Sequence, residues 1–187
     1  ADLDEGAEPV APVGLLFSWA TRKYAPHDDE MAWSRELTGW ARLLIEEHLP
    51  FEIVTAERLA SVDDLSDFQV LILPTSVHLS AACCEILRAF VRAGGRLIAT
   101  GGASLGDERG NLKDDFALGE VLGIALSGTE QGPIALSGGR EPEPAFGRWY
   151  RITATGEVLS HFLQTDPAGS VAEMEDPLVV GDTPWPA

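Results

Sequence analysis

The chain holds 187 residues, 45% hydrophobic and 23% charged, a globular balance with material for a sizeable core. Lys and Arg total 13 against 30 Asp and Glu, a formal charge of −17 that argues against nucleic acid and anionic membrane surfaces as partners, because both demand a basic face. No apolar run approaches the ~20 residues of a spanning helix, and the adjacent Cys83 and Cys84 form neither a disulfide framework nor a set of spaced metal ligands. The composition reads as an acidic, soluble, cytoplasmic domain with no metal and no cofactor.

Residues 1–12 carry Asp2, Asp4, Glu5 and Glu8 with no base, then Pro9 and Pro12, and read as a linker. Order is expected from Val13-Gly14-Leu15-Leu16-Phe17, an apolar run suited to a strand buried on both faces. Asp28, Asp29 and Glu30 suit a helix N-terminus. Trp33, Leu37, Trp40, Ala41 and Leu44 then recur at helical spacing, with Pro50 as the stop. Phe51 to Val54 is predicted as the second strand and Gln69 to Leu73 as the third.

Ser80 is a predicted N-cap for a helix whose apolar face is Cys83, Ile86, Leu87, Phe90 and Val91, closed by Gly94-Gly95. Arg96 to Thr100 is the fourth predicted strand. Strands alternating with helices in this way imply a mostly parallel sheet with right-handed crossovers.

Phe116 to Leu122 suits a short helix. Gly128 to Gly147, rich in Gly, Pro and Glu, reads as a loop. Arg148 to Ala154 and Val158 to Leu163 read as two strands joined near Thr155-Gly156-Glu157. From Asp166 onward five acids and four prolines without a base describe a solvated segment, or one that covers a neighbouring domain. The domain is therefore expected over 13–163, followed by an acidic, Pro-rich segment over 164–187.

Ligands of open α/β sheets bind beyond the carboxyl ends of strands where strand order reverses. The loops expected there hold Ser18, Trp19, Thr21 and Arg22, then Thr75, Ser76 and His78, then Thr100, Gly101, Gly102 and Ser104. Trp, Arg and hydroxyl groups suit a sugar or another polar small molecule; ordinary caps and packing residues would look the same. Gly102-Ala103-Ser104-Leu105-Gly106 matches the G-x-S-x-G pattern, but a nucleophile elbow needs a strand-to-helix turn. Asp107-Glu108-Arg109-Gly110-Asn111 follows instead, so Ser104 is a weak catalytic candidate within a glycine-rich turn.

Cys83 falls on an apolar helix face and reads as core packing; a place near a helix N-terminus could still lower a thiol pKa. His27, His48, His78 and His161 are scattered and form no metal motif. Trp33 and Trp40 suit helix-to-sheet packing, whereas Trp19 and Trp185, outside the predicted elements, are interaction candidates.

The order of certain segments points further. A strand ending in Ser18-Trp19 comes first, then Leu49-Pro50-Phe51-Glu52-Ile53-Val54. The run Asp64-Leu65-Ser66-Asp67-Phe68-Gln69-Val70-Leu71-Ile72-Leu73-Pro74 follows. Phe90 to Gly101 and Asp114-Asp115-Phe116-Ala117-Leu118 complete the series. Together they resemble the β-galactosidase trimerisation domain of family 42 glycoside hydrolases, well over residues 10–125 and more weakly beyond.

The resemblance implies an α/β fold, a flavodoxin-like three-layer sandwich of the class I glutamine amidotransferase-like kind. It implies a non-catalytic domain that assembles a homotrimer and shapes the active site of a TIM-barrel catalytic domain. It also implies a longer enzyme, because the family pattern continues past Trp185-Pro186-Ala187 into a further strand. No amidotransferase nucleophile carries over, since the cysteines lie in the helix before the fourth strand. Trp19, Arg22, Thr75, Ser76, Gly101, Gly102, Ser104 and Arg109 are the expected ligand or partner contacts. The alternatives are a stand-alone amidotransferase-like hydrolase using Ser104 or Cys84, and a small-molecule-binding domain of the same fold.

Overall fold

The computed structural model describes residues 11–25, 32–137, 143–156, 158–165 and 171–179. Its first half alternates strand and helix: β1 (Val13–Phe17), α1 (Trp19–Lys23), α2 (Ala32–Glu46), β2 (Phe51–Thr55), β3 (Val70–Leu73), α3 (Ala81–Arg92) and β4 (Arg96–Ala99). The strands form one parallel sheet in the order β2-β1-β3-β4. This is the flavodoxin-like order, reversing between β1 and β3.

Period-two alternation divides each strand between two cores. On one face Val13, Leu15 and Ile72 pack with Leu44 of α2, flanked by Leu37, Trp40 and Ala41. On the other, Leu16, Val54, Leu71 and Leu73 meet Cys83, Cys84, Leu87 and Phe90 of α3. Helix, sheet and helix make the three layers. Gly14 is required between them, because a Cβ there would lie 3.0 Å from Val54 Cγ2 and collide with Leu71.

Ser80 caps α3 by accepting the Cys83 N–H at 3.1 Å. Burial pushes the Cys83 thiol up to about 12 and raises Cys84 as well. Both thiols therefore stay protonated at neutral pH and act as small core hydrophobes. α2 ends before Pro50 is reached: His48 turns left-handed (φ 56°), and the Leu49 N–H closes on the Leu44 carbonyl at 2.8 Å. The acidic start expected at Asp28–Glu30 lies outside the described residues.

The second half departs from expectation in part: Arg148 to Ala154 and Val158 to Leu163 are strand as expected, but the helix before them is shorter and more of the chain is strand. α4 covers only Gly119–Leu122, and it leads into an antiparallel sheet of β5 (Ile124–Ser137), β6 (Glu143–Ala154), β7 (Val158–Thr165) and β8 (Val171–Val179), in the order β6-β5-β7-β8. The stretch from Gly128 to Gly147, read as a loop, instead supplies much of the β5–β6 ladder, which runs from Ile124 opposite Ala154 to Leu136 opposite Glu143. Pro133 is tolerated because β7 joins β5 only from Ile134 to Ser137, leaving Pro133 with β6 as its one strand neighbour.

β6 and β7 follow one another in the chain but lie on opposite sides of β5. Part of the acidic C-terminal segment is strand β8, paired with β7. Among the described residues no helix is long and apolar enough to cross a membrane, and no cluster of His, Cys, Asp and Glu could hold a metal ion.

Candidate functional site

The carboxyl ends of β1, β3 and β4 converge at the strand-order reversal, as do the loops that follow them. At the end of β1, Ser18 caps α1 by accepting the Thr21 N–H at 3.1 Å. Its own hydroxyl donates to the His78 carbonyl at 2.8 Å and lies 3.1 Å from Glu57 Oε1. Glu57 Oε1 also accepts the Ala20 N–H at 3.1 Å. The cap therefore fixes Trp19 as the first residue of a helix rather than as part of an open loop.

Trp19 is 53% exposed. Its ring stands edge-on to Phe17 with centroids 4.9 Å apart, and Phe17 in turn meets Trp33 of α2 at 5.9 Å. The Arg22 guanidinium lies 5.2 Å from the Trp19 ring centroid and 5.8 Å from that of Trp33. Attraction between the cation and both ring faces holds Arg22 in place. Trp33, read as plain packing, thus joins the same cluster as Trp19. Trp40 packs in the core as expected.

Thr75 follows β3 and Pro74 with φ of 40°, a strained conformation for a β-branched residue. Its hydroxyl donates to Glu36 Oε2 of α2, and the Thr100 hydroxyl donates to the same oxygen at 2.9 Å. One half-buried carboxylate thereby ties the ends of β3 and β4 to α2. Gly101 is left-handed (φ 58°) and sits against Thr75, where a Cβ would lie 2.9 Å from Thr75 Oγ1. Ser76 is buried, and its carbonyl accepts the Ser104 N–H at 2.9 Å.

Ser104 is fully buried with φ of 68°. Its Oγ accepts the Leu118 N–H at 3.0 Å, and its carbonyl accepts the Ala117 N–H at 3.1 Å. The next helix is α4, beginning at Gly119, so the G-x-S-x-G run stands in a turn without an elbow helix. Gly102 is buried under Tyr150 of β6, whose hydroxyl would lie 2.6 Å from a Cβ there. Asp107 organises the following loop by accepting the N–H groups of Arg109 and Asn111 and the Asn111 side-chain amide. These bonds, led by the Asn111 side chain, hold the Asp107 carboxyl below its usual range and leave the Arg109 side chain in solvent.

His78 Nδ1 lies 3.0 Å from the Asp107 carbonyl. A carbonyl only accepts, so Nδ1 carries the proton. Burial lowers the His78 pKa, partly offset by that hydrogen bond and by the Asp107 charge. As pH falls, the unfolded chain takes up this proton before the folded one does. The stability contributed by the neutral ring is complete above about pH 6.5 and is lost as pH falls toward the lower folded value. Thermal midpoints measured from pH 7.5 to 5.5 should therefore fall with acidification, and less steeply in His78→Gln; equal slopes would place the acid sensitivity elsewhere.

Beside Ser18, Thr21, Trp33 and Ser76 lies a half-open pocket of about 10 Å³, room for about one water. The structure thus brings Trp19 and Arg22 into one cluster and Thr75 and Gly101 into another. Ser76, Gly102 and Ser104 are buried, and Arg109 stands apart on its loop. Glu36, Glu57 and Tyr150 were not singled out from the sequence. Glu36 had one legible signal, its place on α2 directly before the apolar stripe residue Leu37. Trp185 and His27 lie outside the described residues.

Residues 11–180 match the family model described as the β-galactosidase trimerisation domain. The chain belongs to that family. The trimerisation domain is also similar in fold to parts of several solved structures. One is a catalytic mutant of the GH42 β-galactosidase Gan42B from G. stearothermophilus (TM-score 0.74, 19% identity, 92% of this chain and 25% of that one). Another is a β-galactosidase from Bacillus circulans sp. alkalophilus (0.69, 20%, 92% and 26%). A third is a polyextremophilic β-galactosidase from the Antarctic haloarchaeon Halorubrum lacusprofundi (0.65, 17%, 96% and 28%). The trimerisation domain therefore spans about a quarter of the length of these structures. No curated protein matches it.

Proposed function

We propose that this chain is the assembly domain of a β-galactosidase-like glycoside hydrolase, joining copies of the enzyme while a separate TIM-barrel domain cleaves the substrate. The observation that carries the reading is the family match along residues 11–180. The chemistry at the strand ends agrees with it. Ser104 Oγ is buried and accepts a backbone N–H, the arrangement of a positioning group rather than of an accessible nucleophile.

Trp19, Arg22 and the exposed residues Gly101, Glu108 and Arg109 of the loop from Gly101 to Arg109 serve as contacts to the catalytic domain. Such contacts gain from rigid support, and Ser18, Glu57 and Glu36 fix the strand ends, so binding costs little ordering. Sedimentation equilibrium of this chain should show a species three times its 20.0 kDa mass. A mass that stays at one copy up to the solubility limit would contradict the reading.

A further inference from the structure

The loop from Gly106 to Asn111 is closed on itself by Asp107. The Asp107 N–H donates to the Asn111 carbonyl at 2.9 Å, and its carbonyl accepts the Gly110 N–H at 3.2 Å. Its carboxylate takes the Arg109 and Asn111 N–H groups. The attachment of this loop to the rest of the fold runs through His78. Gly106 and His78 form a parallel bridge, with the Gly106 N–H on the Val77 carbonyl at 2.8 Å and the Leu79 N–H on the Gly106 carbonyl at 3.1 Å. The imidazole adds a further bond, from Nδ1–H to the Asp107 carbonyl at 3.0 Å.

The ring has no slack. His78 is 5% exposed, and Gly106 lies so close that a Cβ there would be 2.6 Å from Cε1. The Tyr24 ring, at the end of α1, stands 5.6 Å from the imidazole and also lies against Gly110. The His78 main chain is anchored on the other side, since its N–H donates to Thr21 Oγ1 at 2.9 Å and its carbonyl accepts the Ser18 hydroxyl at 2.8 Å. If the ring needs room, the loop is the part that can yield.

Protonation creates that need. Nε2 is an acceptor in the neutral ring and becomes a second donor in the imidazolium. It has no hydrogen-bond partner among the described residues, and the groups facing the ring offer none. The Asp107 carboxylate is occupied within the loop, and Glu108 and Arg109 are exposed. From α1 come the Tyr24 ring and the Lys23 ammonium, which sits 4.8 Å from the centroid of that ring. Glu57 is bonded to Ser18 and the Ala20 N–H. The segment Pro74–Ser80 holds no other ionisable side chain. Burial therefore disfavours the charged ring and outweighs the opposing pull of Asp107.

We infer that His78 is a pH-operated latch: the neutral ring holds the Gly106–Asn111 loop shut, and the imidazolium releases it so that Nε2–H reaches water. This rests on the contact role proposed above for Glu108 and Arg109, and it places that contact under the control of acid. The shut loop favours the neutral ring, so it is fully stabilised above about pH 6.5 and loses ground as pH falls through the lower value of the enclosed ring. Asp107 stays ionised over this range, because its hydrogen bonds hold its carboxyl below the usual carboxylate value.

Amide hydrogen exchange of this chain from pH 7.5 to 5.5, followed by NMR and corrected for intrinsic exchange, tests the latch with no partner present. Protection at Gly106, Asp107 and Gly110 should be lost progressively, with a midpoint equal to that of the His78 ring signals in the same samples. Leu15, Leu71 and Ile72 in the parallel sheet should keep theirs. His78→Asn, whose uncharged amide donates from about the place of Nδ1, should show loop protection that does not change with pH. His48→Asn, at an exposed left-handed position that Asn accepts, should behave as wild type.

Loop protection that ignores pH in the wild type overturns the latch. So does a midpoint displaced from that of His78, an equal loss in the sheet, or the same pH-dependent loss in His78→Asn. Should His78→Asn fail to fold, the agreement of the two wild-type midpoints decides. None of these outcomes touches the assembly role, which stands or falls on the mass of the chain in solution.

Discussion

Leu15→Ala should lower the unfolding free energy by about 2–5 kcal/mol, whereas Ile53→Ala should lower it by only about 1 kcal/mol. The two residues are register partners on the same face of the same sheet. Leu15 is fully enclosed between β2, β3 and α2, so truncation removes its apolar contacts and leaves a cavity that α2 cannot collapse to fill. Ile53 already has half its surface in water, so truncation removes about half as much burial and leaves no enclosed cavity.

Urea unfolding followed by circular dichroism gives both values. It must be run where the chain is a single copy, because self-association would add concentration-dependent stability. Similar losses at the two positions would mean that α2 covers β2 as closely as β1.

The second large effect is expected at Gly106→Ala. A Cβ at Gly106 would lie 2.6 Å from His78 Cε1 and closer still to Nδ1. The imidazole has no room to retreat: it is 5% exposed, it hydrogen-bonds the Asp107 carbonyl, and its ring centroid is 5.6 Å from that of Tyr24. The backbone is equally tied, since the Gly106 N–H donates to the Val77 carbonyl at 2.8 Å and the Leu79 N–H donates to the Gly106 carbonyl at 3.1 Å.

Overpacking of this kind costs about 1–3 kcal/mol. His78→Ala alone should also destabilise, through the lost ring. The double variant should lose less than the sum of the two, because removing the ring makes room for the added methyl. Strict additivity in that cycle would show that the two residues do not compete for space. The same substitution should loosen the Asp107–Asn111 loop, which makes Arg109 the side chain most exposed to its consequences.

Much of the parallel sheet was legible because its signals are local. β1 is an unbroken apolar run, α2 and α3 carry one-sided apolar stripes, Ser80 stands at a cap, and Gly94 follows a helix end. Each depends on residues a few positions apart, and the structure places all four parallel strands within a residue or so of expectation.

The antiparallel half was not legible between Gly128 and Gly147. Gly and Pro lower intrinsic strand preference, and the opposing signal is pairing with residues far along the chain, which no local window contains. Trp19 was misplaced outside regular structure for a similar reason. The helix that it begins is five residues long, and its start is fixed by Ser18 together with Glu57, 37 positions beyond Ala20.

The candidate site divides along the same line. Its residue types were visible as Trp, Arg, Thr, Ser and Gly at predicted strand ends. Their partners were not: the Glu36 carboxylate shared by Thr75 and Thr100, the Leu118 N–H that occupies Ser104 Oγ, and the Tyr150 ring over Gly102.

By itself the amino-acid order determined the alternation of strands and helices and the acidic character, because composition and short-range periodicity encode them, and the order of its segments carried the family resemblance. Tertiary structure alone decided that Leu15 is covered while its register partner Ile53 is open, and which hydroxyls are satisfied. Burial depends on how many helices the folded chain lays across a sheet of given width, and hydrogen bonding depends on residues that meet only after the strands have ordered.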